Sequence, residues 1–291
     1  MFSNFQKNQS SNKNIIVFLS SKTNKSNHKL QKIKMSQNQT IIAIDIGINY
    51  TKIVYYDEEH NTIIPIVDES GNSFFPSILS FDSYQPMKTP TTFGNEAKKQ
   101  FQNKYRISGV KRLIGTTIDN IQEELFDKIS YDIEDSIKNM YSVFINDTFN
   151  NSSQFFTPEE IIAIQLQHIK RILLNHIQNP DFENIILTVP TYFTDSQIEI
   201  LKKAFEIVEL NVITVLKESS VVIYECQKNH QIDDGNILIV DIGETTDISI
   251  VSKINDEIQY ISSQSDIFLG GSDFDEIIDE LIIELFQRSQ K

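Results

Sequence analysis

Residues 41–56 read IIAIDIGINYTKIVYY, and the same plan returns at residues 237–252 as ILIVDIGETTDISIVS. Each opens on a run of β-branched residues, breaks at Asp-Ile-Gly and a few small or polar residues, then resumes as a second β-rich run. Glycine between two such runs is the signature of a β-hairpin. The repeat sets one carboxylate at the mouth of each hairpin, Asp45 and Asp241, 196 positions apart. A carboxylate that ends an otherwise apolar strand needs a partner, and a cation is one candidate. Two hairpins of this kind facing each other can hold phosphate between their backbone N–H groups, with both carboxylates on Mg2+. Two plain hairpins are the alternative.

Between the repeats the pattern is mixed. Residues 77–81 predict a strand and residues 95–103 a short helix. A longer helix starts at Thr157, with Pro158 at its first position and Glu160 completing a capping box. Its apolar face runs through Ile161, Ile164, Ile169, Ile172 and Leu173, and it stops before Pro180. A strand over residues 185–189, a helix from about Asp195 and a strand over residues 212–216 follow. Strands alternating with helices predict an α/β fold.

Composition narrows the function. The 291 residues are 40% hydrophobic and 23% charged, ordinary for a globular protein. No apolar run approaches the ~20 residues of a membrane-spanning helix, so no membrane partner is expected. Residues 1–44 hold seven Lys and no Asp or Glu, so the net −14 of the whole chain leaves −21 on the remainder. That acidic body argues against nucleic acid as a partner.

Residues 1–38, rich in Ser, Asn, Gln and Lys, are expected to be a disordered extension. Their apolar cluster, Ile15 to Leu19, is shorter than a secretory core of about 7–15 residues. Transit peptides favour Arg, and the first Arg is Arg106; a cytoplasmic chain is the reading, with Met35 an alternative start. Single Cys226 excludes an internal disulfide. His168 and His176 sit eight apart, without the spacing of a zinc pair.

Several further segments, in this order, carry a resemblance. They are FGNEAKKQ at 93–100, VKRLIG at 110–115, LTVPTYFTDSQ at 187–197, Leu210-Asn211-Val212, and LGGSDFDE at 269–276. With the two hairpins, they resemble the nucleotide-binding domain of the heat-shock protein 70 (DnaK-type) family. The resemblance implies an actin-like ATPase (ribonuclease H-like) fold. Residues 39–230 would form a complete first lobe and residues 231–291 only the start of a second. ATP or ADP with Mg2+ would be the cofactor.

Roles follow position by position from that resemblance. Asp45 and Asp241 would hold Mg2+ through water, and Gly47 and Gly243 would let the backbone approach phosphate. Ile48, Asn49 and Tyr50 would line the first turn; Glu244, Thr245 and Thr246 would line the second, closed by Asp247. Lys98 would reach the γ-phosphate and the attacking water, and Glu218 would link the lobes at the metal. Lys98, Glu218 and Asp241 are the catalytic candidates.

Four departures are equally legible. Ile48 stands where the family has a threonine hydroxyl. Gly243-Glu244-Thr245-Thr246 replaces a glycine-rich turn, and a Glu244 aimed at phosphate costs roughly 4 kcal/mol at ~4 Å and an effective dielectric of 20. Ser219-Ser220-Val221-Val222-Ile223 after Glu218 is bulkier than the family's small residues, which should alter packing there. Only 50 residues follow Asp241, so the rest of the second lobe, the adenine site and the peptide-binding domain are expected to be missing. The apolar face of a final helix over residues 274–286 should then be partly uncovered. Co-chaperones or another chain over that helix are the expected partners. A scaffold that keeps the fold without turnover, or a non-functional product, is the competing reading.

Overall fold

In a computed structural model the first repeat forms its hairpin. Residues 14–16, 32–34, 40–82, 91–117, 123–136, 140–147, 151–229, 232–254 and 257–289 are described. Strand Ile41–Ile46 pairs antiparallel with Tyr50–Asp57, placing Asp45 opposite Lys52. Strand Ile185–Val189 lies parallel on its other side, with Thr188 beside Asp45. The sheet runs Val212–Lys217, Ile185–Val189, Ile41–Ile46, Tyr50–Asp57, Thr62–Pro65, with Phe75–Pro76 also paired to Tyr50–Asp57. Ile42, Ile44, Ile53, Ile185 and Leu187 are fully buried. Near-continuous apolar strands of this kind belong to a sheet covered on both faces. The architecture is mixed α/β.

Two helices pack together in this part of the molecule, Pro158–His176 and Asp195–Ile207. Thr157 Oγ1 accepts from the Glu160 amide at 3.3 Å, and Glu160 Oε2 accepts from the Thr157 amide at 2.9 Å. That is the reciprocal cap expected from the sequence. Thr194 and Gln197 repeat it at the next helix. Ile161, Leu166, Ile169 and Leu173 bury one face, and Leu201, Ala204 and Phe205 another.

The short helix is shorter than predicted. It spans Asn95–Lys99 and closes at Gln100, whose amide bonds the Ala97 carbonyl. Asn103 lies beyond it because its side chain is occupied elsewhere: its amide donates to Ser80 Oγ at 2.8 Å and to the Phe81 carbonyl. An Asn that finds such partners competes with helix continuation.

Contact density divides the chain into two compact units. The larger holds the described residues up to Val189 together with Phe193–Leu216; the smaller holds Pro190–Tyr192 and Lys217–Lys291. Helix Glu218–Asn229 is grouped with the second repeat in this division. The reason is packing: Ile223 is buried against Ile239 and Val251, with Val222, Ile237, Ile258 and Tyr260 around them.

In the smaller unit Gly235–Ile242, Thr246–Ile254 and Glu257–Asp266 form an antiparallel sheet. Period-two alternation puts Ile239 and Val251 on the covered face and Leu238, Val240, Ile242 and Ile250 on the exposed one. The final helix, Gly271–Ser289, is longer than predicted and contains no buried residue. Phe274, Ile277, Ile278, Leu281, Ile282, Leu285 and Phe286 are all exposed.

Of residues 1–38, the described ones are the antiparallel pair Asn14–Ile16 and Lys32–Lys34. The expected disorder, the targeting reading and Met35 otherwise lie outside the described residues. Among the described residues no helix is long and apolar enough to cross a membrane.

Candidate functional site

The first turn consists of Gly47, Ile48 and Asn49, closed by the Gly47 amide donating to the Tyr50 carbonyl at 3.0 Å. A Cβ on Gly47 would overlap that carbonyl oxygen, so hairpin closure alone demands glycine here. The Asn49 carbonyl accepts from the Ser77 amide at 2.8 Å. Tyr50 is partly exposed and meets Phe74 edge-on, with ring centroids 5.2 Å apart.

Ile48 points inward. Its side chain is 8% exposed, and its Cγ2 would lie 3.7 Å from a Cβ built on Gly109. The residue that removes a hydroxyl from the turn is therefore also a packing residue. Ile48→Thr should cost about 1–3 kcal/mol of stability, because it removes buried methylene surface and adds a hydroxyl. Urea denaturation checks this, and an unchanged midpoint would place the side chain outside the core.

Asp45 has a neighbour that reading the residues one by one did not reveal. Lys52, directly opposite it in the hairpin, brings its ammonium to 3.9 Å from Asp45 Oδ2. On the other side stands Thr188, 3% exposed, whose Oγ1 is buried with no hydrogen-bond partner among the described residues. Counting the hairpin register from the turn would have found Lys52. Thr188 becomes visible only once the parallel pairing is known.

Lys98 sits in the five-residue helix and is exposed. It makes no side-chain hydrogen bond or ion pair among the described residues.

The second turn lies in the other unit and has its own backing. The Gly243 amide donates to the Thr245 carbonyl at 2.9 Å, and the Gly243 carbonyl accepts from the Gly271 amide at 2.8 Å. Thr246 Oγ1 donates to the Leu269 carbonyl at 2.8 Å. A Cβ on Gly270 would overlap the Glu244 backbone. The segment at 269–271 is thus the support of this turn, a role its distance in sequence concealed. Glu244 is half-buried.

A Cβ on Gly243, by contrast, would meet nothing nearer than 3.9 Å. The chain's own packing does not require glycine there, and the space is open to an approaching group.

Asp241 stands directly opposite Asp247 in the hairpin. Like charges so placed repel unless something neutralises them. Asp247 is 7% exposed and accepts from the Ser265 hydroxyl and, at 3.5 Å, from Thr245 Oγ1. Asp241 makes no side-chain hydrogen bond or ion pair among the described residues. Two residues along from Asp247 on the same strand face, Ser249 Oγ is buried and has no partner among the described residues. Glu218 opens its helix immediately after Lys217, whose ammonium donates to the Thr191 carbonyl at 2.8 Å.

Among the described residues no group of three or more His, Cys, Asp or Glu is gathered to ligate a metal directly. What each turn offers instead is carboxylate beside an orphaned hydroxyl: Asp45 with Thr188, and Asp241 and Asp247 with Ser249. That donor set fits a hydrated Mg2+, which sheds its waters reluctantly and takes few protein ligands.

The two candidate histidines are accounted for otherwise. His168 Nε2 lies 2.9 Å from Thr91 Oγ1 and its ring stacks on Phe93. Burial, with Arg171 nearby, pushes its pKa down to about 4. His176 Nδ1 lies 2.8 Å from the Ile172 carbonyl.

Against known proteins, residues 41–291 match the family model described as Hsp70 protein. The chain is 27% identical over 267 residues to a heat shock protein 70 homolog of Acanthamoeba polyphaga mimivirus. The alignment covers 88% of this chain and 28% of that protein.

Proposed function

The chain belongs to the Hsp70 protein family, and on that premise we propose that it is a chaperone-type nucleotide-binding domain whose grip on Mg-ATP is weakened. In this reading it is cytoplasmic and has the actin-like ATPase fold, with residues 39–230 as first lobe and 231–291 as the start of the second. The observation that supports it best is the recurrence, at both turns, of a carboxylate beside a buried hydroxyl that has no partner among the described residues.

Mg-ATP, when bound, supplies the phosphoanhydride to be cleaved and the cation that neutralises it. The chain's own residues do the rest. Asp45 and Asp241 would each hold the cation through its waters, and Asp247 accepts from the Thr245 hydroxyl in the turn. Gly243 leaves the backbone open to phosphate. Lys98, exposed and without a partner among the described residues, would stabilise negative charge as it develops. Two features work against this. Ile48 is turned inward and offers phosphate no hydroxyl, and Glu244 adds a like charge to the second turn.

Residual turnover tests the reading. At about millimolar Mg-ATP slow hydrolysis is expected, and Lys98→Ala should lower it at least about tenfold. The melting temperature should not move, since Lys98 is exposed and pairs with none of the described residues. Equal rates in the two proteins would remove Lys98 from the chemistry.

The buried Ile48 favours a second reading, a scaffold that keeps the fold without turnover. Its partners would be co-chaperones or another chain on the exposed apolar residues of helix Gly271–Ser289. A parent chain that hydrolyses no ATP would favour it.

A further inference from the structure

The geometry points to Tyr260 as a positioning residue for Glu218, acting through a chain of hydroxyls at the start of helix Glu218–Asn229. Tyr260 lies in strand Glu257–Asp266, some forty residues beyond that helix start, and no motif marks it. Its phenol oxygen is 2.9 Å from Ser219 Oγ and 2.6 Å from Ser220 Oγ. Thr191 Oγ1 donates to Ser219 Oγ at 2.8 Å. The protons can run in one sense, from Thr191 to Ser219 to Tyr260 to Ser220, so that Ser219 and Tyr260 each both give and receive. Thr191 and Ser219 are 4% and 3% exposed, so water does not compete for these bonds.

The two serines are the departure that the sequence singled out after Glu218, read there as added bulk. In the structure they are polar anchors. Strand Val212–Lys217 runs straight into the helix, and the first turn of a helix has backbone N–H groups without helical partners. Here the residues flanking Glu218 on both sides are tied down. Lys217 Nζ bonds the Thr191 carbonyl, and Ser219 bonds both Thr191 and Tyr260. The Tyr260 ring is held in turn against Ile223, Ile239 and Val251. Glu218 is thereby held from the covered face of the second hairpin's own sheet. The inference rests on the reading of Glu218 as part of the nucleotide site.

The test uses the whole chain and compares the parent with Tyr260→Phe, Ser220→Ala, Glu218→Gln and the Glu218→Gln/Tyr260→Phe double variant. Phenylalanine keeps the ring and its packing, and Ser220→Ala removes only the 2.6 Å bond should the first variant fold poorly. One readout is amide hydrogen exchange at residues 222–226 without nucleotide. The other is the Mg2+ concentration for half-maximal ATP binding. Tyr260→Phe should speed exchange at 222–226 while leaving strand Ile41–Ile46 protected. It should also raise the Mg2+ midpoint roughly three- to tenfold, the range of one lost hydrogen bond. Glu218→Gln should raise the midpoint, and the double variant no further, because positioning matters only through the carboxylate. Unchanged exchange at 222–226 overturns the clamp alone. An unmoved Mg2+ midpoint, or additive effects in the double variant, leaves the clamp but overturns its action through Glu218. A parent chain that binds no Mg-ATP at all overturns the nucleotide reading, and this role with it.

Discussion

Gly270→Val is expected to destabilise the smaller unit by about 3–5 kcal/mol, more than any surface change in that sheet. The Cβ of any side chain at this position would overlap the Glu244 carbonyl, and its Cα would be close behind. Those atoms are backbone, so nothing flexible can yield. Either segment 269–271 withdraws or the turn moves, and both break the Gly271 amide bond to the Gly243 carbonyl and strain the Thr246 bond to the Leu269 carbonyl. Gly243→Ala is the informative contrast. Its Cβ meets nothing nearer than 3.9 Å, so stability should change by no more than about 1 kcal/mol. Its effect should appear instead as weaker nucleotide binding, because the new methyl occupies the open side of the turn. Urea unfolding of both variants, with hydrogen exchange over strands Gly235–Ile242 and Thr246–Ile254, reads the difference. Similar losses in the two would mean that segment 269–271 does not support the turn.

Glu244→Gly is expected to tighten Mg-ATP binding by about ten- to a hundredfold. A full like-charge contact at ~4 Å is worth roughly 4 kcal/mol at an effective dielectric of 20. Glu244 is half-buried rather than sealed from water, so solvent screens part of that, and about 1.4–2.8 kcal/mol is the reduced expectation. The same screening gives an internal check. The deficit of the parent chain relative to the glycine variant should shrink as salt is raised from ~0.05 to ~0.5 M. Equal affinities in the two proteins at low salt would acquit Glu244.

Much of the fold was written in short-range patterns. The reciprocal cap of Thr157 and Glu160 needs only residues three apart, and it appears in the structure as read. The strand at 185–189 is a bare apolar run between a turn and a capped helix, and its bounds match. The two Asp-Ile-Gly hairpins announced themselves by repetition. What stayed hidden depends on contacts distant in sequence. The helix at Asn95–Lys99 ends early because Asn103 finds Ser80, twenty-three residues away. Helix Glu218–Asn229 joins the second repeat because Ile223 finds Ile239 and Val251. The same limit applies at the candidate site. A residue list names Asp45, but only register places Lys52 opposite it and Thr188 beside it. Ile48 read as a missing hydroxyl; the direction of its side chain, into the core, was set by packing near Gly109.

The proposed weak nucleotide site keeps the two hairpin carboxylates beside altered phosphate turns. Calorimetric titration of the whole chain with ATP at about 5 mM Mg2+ tests it most directly. Saturable but weak binding is expected, with a Kd of about 0.1–1 mM, roughly −5.5 to −4 kcal/mol. Binding below about 1 μM would contradict it by showing that neither Ile48 nor Glu244 matters. No saturable heat at several millimolar would contradict it from the other side, leaving a fold that no longer holds nucleotide.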